Sequence, residues 1–324
     1  MKTREQINVE TGVVYVGIDV SKDTLAVDAG EFLSETIENN RKSISKLIGR
    51  LRKKSQDGIR FRFCLEQTGC YGLRVRLVLD ELGQSVCALD PAKIRHYAKA
   101  CGIAAKTDPI DAAVIRRYAE QTEPEPTPLP SATRLALREI VRTRGLLVQA
   151  KGSFQRQLEA TDDPTCRDVL KRTIQSLDTK IGKLEAKMTQ TASNDPATKR
   201  TCDILQGVVG VGPLTAVVVT TLVPELGSLG RQRAASIAGL APHPRESGTF
   251  KGRRKTGGGR RDVRTALYMP AMVAIRHDDR LKAYYTHLRN DLHKPFRVAM
   301  VAAMRKLFVR MDAVVAAESS SSAE

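Results

Sequence analysis

Apolar and polar positions follow two different periods along the chain, one on each side of a proline-rich segment. Before that segment, short apolar runs alternate with stretches in which apolar residues recur every three or four positions. The runs at 13–19, 24–28, 59–65 and 85–89 predict strands, the first two forming a β-hairpin. The stretches at 41–54, 71–82 and 108–121 predict helices. Alternating strands and helices predict an α/β domain over residues 1–122.

Residues 123–130, E-P-E-P-T-P-L-P, predict an extended linker and a domain boundary. Two long helical patterns follow within 131–192, and residues 161–164 make the turn between them. In the second helix, apolar residues are spaced alternately by four and three positions, at Leu170, Ile174, Leu177, Ile181, Leu184 and Met188. We expect a helical hairpin or coiled coil, which either packs on itself or offers a seam for dimer assembly.

The remainder of the chain predicts a mainly helical domain over 201–316 and a disordered serine-containing tail over 317–324. Predicted helices cover 231–240, 263–276 and 294–311, and residues 241–259 form a loop. Gly210 and Gly212 lie in a glycine-rich turn between two helices. Backbone N–H groups of such a turn can bind a phosphate. A turn that only joins two packed helices has the same sequence, so both readings stay open.

Composition points to a polyanionic partner. Lysine and arginine number 53 against 36 aspartates and glutamates, which gives a formal net charge of +17 and a sequence pI near 9.8. A basic protein without such a partner is the alternative. Tryptophan is absent and aromatic residues make up 4% of the chain, so phosphate contacts rather than base stacking should dominate nucleic-acid binding.

The cysteines contain no C-x-x-C pair, and the N-terminus has no apolar signal region. Zinc-site and disulfide spacings are therefore missing, and we expect reduced thiols and a cytoplasmic protein without a membrane span.

Four carboxylates stand where secondary-structure elements end or begin: Asp19, Glu66, Asp108 and Asp111. Asp108 and Asp111 are three residues apart, which puts both on one face of a helix. Each acid by itself is compatible with a turn or a helix cap. Together they offer the hard oxygen ligands that Mg²⁺ prefers and that phosphoryl transfer can use.

The densest basic segment follows residue 250. It contains Lys251, Arg253, Arg254, Lys255, Arg260, Arg261 and Arg264, interleaved with glycines. A run of charge is usually a solvated face. Glycine-interleaved arginines also suit the clamping of phosphates, and we predict that this segment binds nucleic acid.

Four segments carry a resemblance to a known family: V-G-I-D-V-S-K at 16–22, C-L-E-Q-T-G at 64–69, K-T-D-P-I-D-A at 106–112 and A-G-L-A-P-H-P-R-E-S-G at 238–248. In this order they resemble the DEDD transposases of bacterial insertion sequences. The resemblance implies an N-terminal domain with the RuvC-like ribonuclease H fold and a C-terminal transposase domain that carries a serine.

The resemblance also implies a mechanism. Asp19, Glu66, Asp108 and Asp111 would bind Mg²⁺, as two ions, and Ser247 would be the nucleophile that forms a transient phosphoserine link to DNA. The partners would be donor DNA, target DNA and a structured bridge RNA that pairs with both. Assembly as a dimer or tetramer, with a site shared between protomers, is implied as well, in a bacterial cytoplasm and at the nucleoid when active.

The sequence is compatible with two alternative functions. A RuvC-like junction-resolving endonuclease would use a metal-activated water and would leave Ser247 incidental, as a loop serine before a glycine. A nucleic-acid-binding scaffold would make the four acids structural.

Overall fold

A computed structural model describes residues 12–55, 58–66, 69–103, 107–243, 246–247, 250–251 and 255–321. The chain divides into two compact units, Met1–Pro130 and Ser131–Glu324.

The first unit is built on a mixed five-stranded sheet. Its strands are β1 (Val13–Val20), β2 (Thr24–Asp28), β3 (Ser34–Glu38), β4 (Arg60–Glu66) and β5 (Ser85–Leu89). They lie in the order β3-β2-β1-β4-β5, with β1 antiparallel to β2 and parallel to β4. Such a sheet is consistent with the ribonuclease H-like fold that the resemblance implies.

Helices cover both faces of this sheet. They are α1 (Arg41–Lys54), α2 (Gly69–Glu81), α3 (Pro91–Ala100) and α4 (Asp108–Thr122). One apolar cluster joins α1 and α2 to the face that carries Val16 and Phe63. A second joins α3 and α4 to the face that carries Tyr15 and Cys64. Because side chains alternate along a strand, the central strands are buried on both sides.

The predicted strands and the three predicted helices of this unit are present, whereas β3 and α3 escaped prediction. β3 has the sequence S-E-T-I-E, in which only one residue is apolar. It is an edge strand, and polar residues are common there. The ten-residue helix α3 contains a single fully buried residue, Ile94, so its periodic signal is weak.

The proline-rich segment is fixed against β5 rather than free. The Thr127 backbone N–H donates to Val86 O at 2.8 Å, and the Thr127 hydroxyl accepts from the Ala88 N–H at 3.0 Å. Arg62 donates to Pro124 O, and the buried Arg76 donates to the Thr127 carbonyl. The segment belongs to the first unit, which ends at Pro130.

The second unit begins with a helical hairpin formed by α5 (Ala132–Glu159) and α6 (Pro164–Ser193). The two helices pack against each other. Leu177, Ile181 and Met188 of the predicted seam are buried. Arg144 Nε donates to Glu185 Oε1 at 2.7 Å across the hairpin.

The rest of the unit is mainly helical. It comprises α7 (Pro196–Gln206), α8 (Pro213–Leu222), α9 (Gly230–Ile237), α10 (Arg261–His277), α11 (Asp279–Thr286), a short π-helical segment (His287–Asp291) and α12 (Phe296–Ser321). A single core joins these helices to the base of the hairpin, with Met188, Leu205, Val219, Leu267 and Phe308 fully or almost fully buried.

Two expectations for this unit need correction. The predicted loop 241–259 contains four two-residue strands, β6 (Pro242–His243), β7 (Glu246–Ser247), β8 (Phe250–Lys251) and β9 (Lys255–Thr256). Disorder over 317–324 is wrong for residues 317–321, because α12 continues through Ser321. No helix in the described ranges is long and apolar enough to cross a membrane.

Candidate active site

Asp19 and Glu66 stand next to each other at the carboxyl ends of two parallel strands. Ile18 of β1 is opposite Leu65 of β4, and each acid is the next residue along its strand. Partners in a parallel register project from the same face of the sheet, and neighbouring strands lie about 4.8 Å apart. The two carboxylates therefore share one edge and one face.

That face is the one covered by α4, and Gly17 explains how closely the helix lies on it. Gly17 is two residues before Asp19 and so projects from the same face. A Cβ atom at Gly17 would lie 2.1 Å from Ala112 O and 2.7 Å from Arg116 N. Only glycine permits this approach of helix and strand. Sequence reasoning missed Gly17, although a glycine inside an apolar strand is a signal for close backbone approach.

Asp108 and Asp111 lie in the first turn of α4. Pro109 occupies an early helical position, where its missing N–H costs little. Thr107, the residue before the helix, makes no side-chain capping bond. Acids in a first turn are favoured by the partial positive charge of the helix N-terminus. The helix thus presents two carboxylates at one end while its buried side holds it on β1.

Electrostatics link three of the four acids. The pKa of Asp19 is raised from 3.8 by burial and, next in size, by the negative charges of Asp111 and Asp108, against a hydrogen bond from the Val20 backbone. None of these three aspartates forms an ion pair within the ranges that the structure describes. These carboxylates repel one another, and a cation bound between them would relieve the repulsion.

The structure does not assemble the four acids into a preformed metal cluster. Among the described residues, which include all four, no group of three or more His, Cys, Asp or Glu side chains is arranged to hold an ion. The donor chemistry fits Mg²⁺, because every candidate ligand is a carboxylate oxygen. Binding would require the side chains to move closer to one another.

Two residues outside the predicted set hold α4 in position. Arg116, on α4, forms an ion pair with Asp28 at the end of β2, and both side chains are largely buried. Arg116 also pairs with the more exposed Glu120. The Arg116–Asp28 pair fastens the helix that carries Asp108 and Asp111 to the sheet.

Ser247 is the second residue of β7, where it pairs with Phe250 of β8. Its side chain lies outside the described residues, as does that of Lys251, and so do Arg253 and Arg254 entirely. The role predicted for Ser247 stays a prediction.

The remaining predicted basic contacts divide into two kinds. Arg260 forms a two-bond ion pair with Glu225, at 2.8 and 2.6 Å, and donates to Leu222 O at 2.9 Å. Arg264 donates to Gly258 O at 3.1 Å. Both side chains thus have internal partners, which favours structural roles. Lys255 and Arg261 are exposed.

Glycines beside these arginines serve close packing. A Cβ at Gly239 would lie 2.2 Å from Gly258 O, and one at Gly259 would lie 2.3 Å from Gly239 N. Gly239, Gly258 and Gly259 all have positive φ. The two backbones are therefore in direct contact, which only glycine allows.

The glycine turn before α8 also has a packing role. Gly210 has φ of +92°, and a Cβ there would lie 2.5 Å from Pro270 O on α10. This contact accounts for Gly210 without a phosphate. Gly212 precedes the first turn of α8 and has open space around it. Of the two readings of this turn, the structure favours packed helices at Gly210.

Comparison with known protein families gives matches in both halves of the chain. A family model for DEDD transposases of the IS110 type, described as "Transposase", matches residues 16–163. A second model, described as "Transposase IS116/IS110/IS902 family", matches residues 202–286. The two matches follow each other without overlap and together cover most of the chain.

Individual relatives agree with this result. The chain is 24% identical over 315 residues to a "Pilin gene-inverting protein" of Moraxella lacunata, covering 93% of this chain and 95% of the relative. A protein of the same name from Moraxella bovis is equally similar. The "Insertion element IS900 uncharacterized 42 kDa protein" of Mycobacterium paratuberculosis is 29% identical over 144 residues, or 43% of this chain and 35% of that protein.

Proposed function

The chain belongs to the DEDD transposases of the IS116/IS110/IS902 family, and we propose that it is an RNA-guided, Mg²⁺-dependent recombinase of a bacterial mobile element. The observation that supports the metal-dependent part of this proposal is the grouping of Asp19 with Asp108 and Asp111, where burial and repulsion from the two other carboxylates raise the pKa of Asp19. The names of the Moraxella relatives describe gene inversion, which is also an exchange of DNA strands.

Asp19, Glu66, Asp108 and Asp111 would hold the ions. The chemistry that Mg²⁺ supplies is neutralisation of charge on the phosphate under attack. The carboxylates would bind the cation on the face of the sheet that α4 covers. The close contact at Gly17 and the Arg116–Asp28 pair keep α4 in place.

Ser247 would supply the nucleophile. Its Oγ loses a proton and attacks phosphorus, the Oγ–P bond forms, and the bond from phosphorus to one deoxyribose oxygen breaks. The released oxygen takes up a proton and becomes a hydroxyl. A hydroxyl of the partner strand reverses these steps, so strands exchange without an external energy source.

The serine step is tested by trapping protein attached to DNA. Wild-type protein, incubated with donor DNA, target DNA and RNA transcribed from the DNA flanking the gene, should give adducts that survive denaturation. Ser247→Ala should give none and should not recombine DNA, while RNA binding stays near the wild-type level. Ser236→Ala, a serine in α9, is the matched control and should behave as wild type.

The same experiment separates the alternative functions. Cleavage by Ser247→Ala at the wild-type rate, without any adduct from either protein, would establish water as the nucleophile and favour a junction-resolving endonuclease. A scaffold would bind nucleic acid without cleaving it, and Asp19→Asn and Glu66→Gln would leave its function intact.

A further inference from the structure

Of the helices that the structure describes, the most basic lies in the unit with the smaller net charge. Seven of the 14 residues of α1 are basic and none is acidic. They are Arg41, Lys42, Lys46, Arg50, Arg52, Lys53 and Lys54. Apolar residues of one side, Ile44, Leu47, Ile48 and Leu51, are buried against the sheet. The basic side chains consequently crowd the remaining surface, where they repel one another unless an anion is present.

Only part of this charge is balanced internally. Arg41 pairs with Glu81, and Arg50 donates to Glu35 at 2.7 Å. Lys54 donates to the carbonyl of Phe32 at 2.8 Å. Within the described ranges, Lys46 and Lys53 form no ion pair.

Those two lysines line a groove between α1 and the edge strand β3. The groove has a volume of about 640 Å³ and is lined by Ile37, Glu38, Ser43, Lys46, Gly49, Arg50 and Lys53. In the described part of the sheet, β3 has a neighbour on one side only, β2. Backbone N–H and C=O groups on the outer edge of β3 therefore have no partner strand within the described part of the sheet.

Gly49 lies in the middle of α1 and lines the same groove. A glycine inside a helix costs about 1 kcal/mol relative to alanine. Among the described residues, and apart from its chain neighbours and the nearby backbone of α1 itself, no atom lies within 4 Å of the position that a Cβ at Gly49 would take, so internal packing does not require glycine here. An absent side chain at this point keeps the groove open for close approach by another molecule.

The groove is remote from the carboxylates. Helix α1 packs on the face of the sheet that carries Val16 and Phe63, whereas Asp19 shares the opposite face with Gly17. The five-stranded sheet separates the two surfaces. A chain lying in the groove is consequently not the strand under attack at the carboxylates.

We infer that the groove between α1 and β3 binds the ribose–phosphate backbone of single-stranded RNA, with Lys46 and Lys53 on the phosphates and the open edge of β3 on the ribose hydroxyls. This inference rests on the proposed function, because a guided recombinase must hold its RNA apart from the DNA that it cuts. Lysine side chains bind the phosphates of RNA and of DNA alike. Backbone donors and acceptors beside them can bind the 2′-hydroxyl, which is present in RNA and absent from DNA.

The test compares two double variants with the same loss of charge on the same helix. Lys46→Ala/Lys53→Ala removes the groove lysines, and Lys42→Ala/Arg52→Ala removes exposed basic residues that do not line it. Binding of the full chain to a labelled single-stranded RNA of about 20 nucleotides is measured as a function of salt by fluorescence anisotropy. DNA of the same sequence forms the second arm.

We expect the groove variant to bind the RNA about ten-fold more weakly near 0.1 M salt. The slope of log affinity against log salt concentration should fall in magnitude by about 1.4, which is the contribution of two phosphate contacts on a single strand. The control variant should keep the wild-type slope, and DNA binding should change little. Equal losses in both variants, or an equal loss for DNA and RNA in the groove variant, would overturn the inference.

Gly49→Ala provides an independent check that does not depend on charge. Its methyl group projects into open space, so the melting temperature of the protein should rise. RNA affinity should fall, because the groove is narrowed. Unchanged RNA binding in this stabilised variant would contradict close approach at Gly49. Loss of recombination by Ser247→Ala is a separate result: it supports the proposed function whichever way the groove variants behave.

Discussion

At the scale of single residues, the positions that matter most for the candidate site include some without functional groups. The sequence identifies Asp19, Asp108 and Asp111 as chemistry-bearing residues, and the structure brings their charges together. Gly17, whose missing side chain lets α4 lie on β1, carries no functional group. A glycine inside an apolar strand signals a close backbone approach, but the partner lies about one hundred residues away in the chain, so the local pattern does not show which element makes the contact.

Gly17→Ala should therefore destabilise the protein. Its methyl carbon would stand 2.1 Å from the Ala112 carbonyl oxygen, and such overpacking costs about 1–3 kcal/mol. Gly182→Ala on α6 is the matched control: it has open space around it, and we expect it to stabilise the helix by about 0.5–1 kcal/mol. Urea unfolding of both variants measures the difference, and a Gly17→Ala protein as stable as wild type would refute the close contact.

Glu225 and Arg260 give a pH-dependent prediction. Burial is the largest single influence on the pKa of Glu225 and raises it, but the hydrogen bonds from Arg260, a backbone hydrogen bond and the charges of Arg260 and Arg134 together outweigh burial, and the net shift is downward from 4.5. A lowered pKa in the folded state gives stability that is present above the unfolded pKa and is lost as the pH falls below it.

Glu225→Gln should consequently lower the free energy of unfolding by about 1 kcal/mol at pH 7, because the pair is partly exposed. Denaturant titrations from pH 7 down to about pH 3 should find this difference shrinking below the ordinary glutamate pKa. A difference that stays constant across this range would mean that the Glu225 charge does not contribute.

At the scale of elements, the pattern of apolar residues predicts the helices that bury a complete apolar stripe and the strands that are buried along their whole length. Helices α1, α2 and α4 and the central strands belong to this group. Edge strand β3 and the short helix α3 bury little, so their pattern is weak. The prediction of a disordered tail is wrong for residues 317–321, because a helix anchored by buried residues such as Met311 and Val315 continues through Ser321.

The ion pairs of Arg116 that attach α4 to the sheet can be tested one at a time. Arg116 has one largely buried acidic partner, Asp28, and one exposed partner, Glu120. Asp28→Asn removes the buried partner, leaves the largely buried Arg116 guanidinium with the exposed Glu120 alone and should lower the free energy of unfolding by about 3 kcal/mol. Glu120→Gln removes only the exposed partner and should cost less than about 0.5 kcal/mol.

Thermal unfolding followed by circular dichroism measures both variants. Equal effects of Asp28→Asn and Glu120→Gln would show that the buried pair does not fasten the helix. Recombination should follow the same order, because Asp108 and Asp111 move with α4.

At the scale of the whole molecule, net charge gives an incomplete picture of where nucleic acid can bind. Residues 1–130 carry a surplus of only +2, against +6 for 131–200 and +9 for 201–324. The near-neutral first unit nevertheless contains α1, with its seven basic residues. The acidic residues of this unit offset the charge of α1 in the sum, so a charge count over the sequence does not reveal the groove between α1 and β3.

In the basic segment of the second unit, by contrast, the sequence overstates how many basic side chains are free to bind nucleic acid. The density of basic residues there predicts binding of nucleic acid, whereas Arg260 and Arg264 are bound to Glu225 and to the Gly258 carbonyl. An internal ion pair between residues 35 positions apart leaves no local trace in the sequence. Lys255 and Arg261 remain exposed candidates for binding nucleic acid.

Recombination of donor and target DNA as a function of Mg²⁺ concentration, with Asp19→Asn compared against Asp23→Asn, tests the central claim most directly. Asp23 is an exposed aspartate in the turn after β1, so it controls for the loss of one carboxylate nearby. We expect wild type and Asp23→Asn to recombine DNA at the same rate and with the same dependence on Mg²⁺. Asp19→Asn should be at least about 100-fold slower at every Mg²⁺ concentration, the order of loss typical when a group that stabilises the transition state is removed. Recombination by Asp19→Asn at the wild-type rate, or a wild-type rate that is independent of Mg²⁺, would contradict the account.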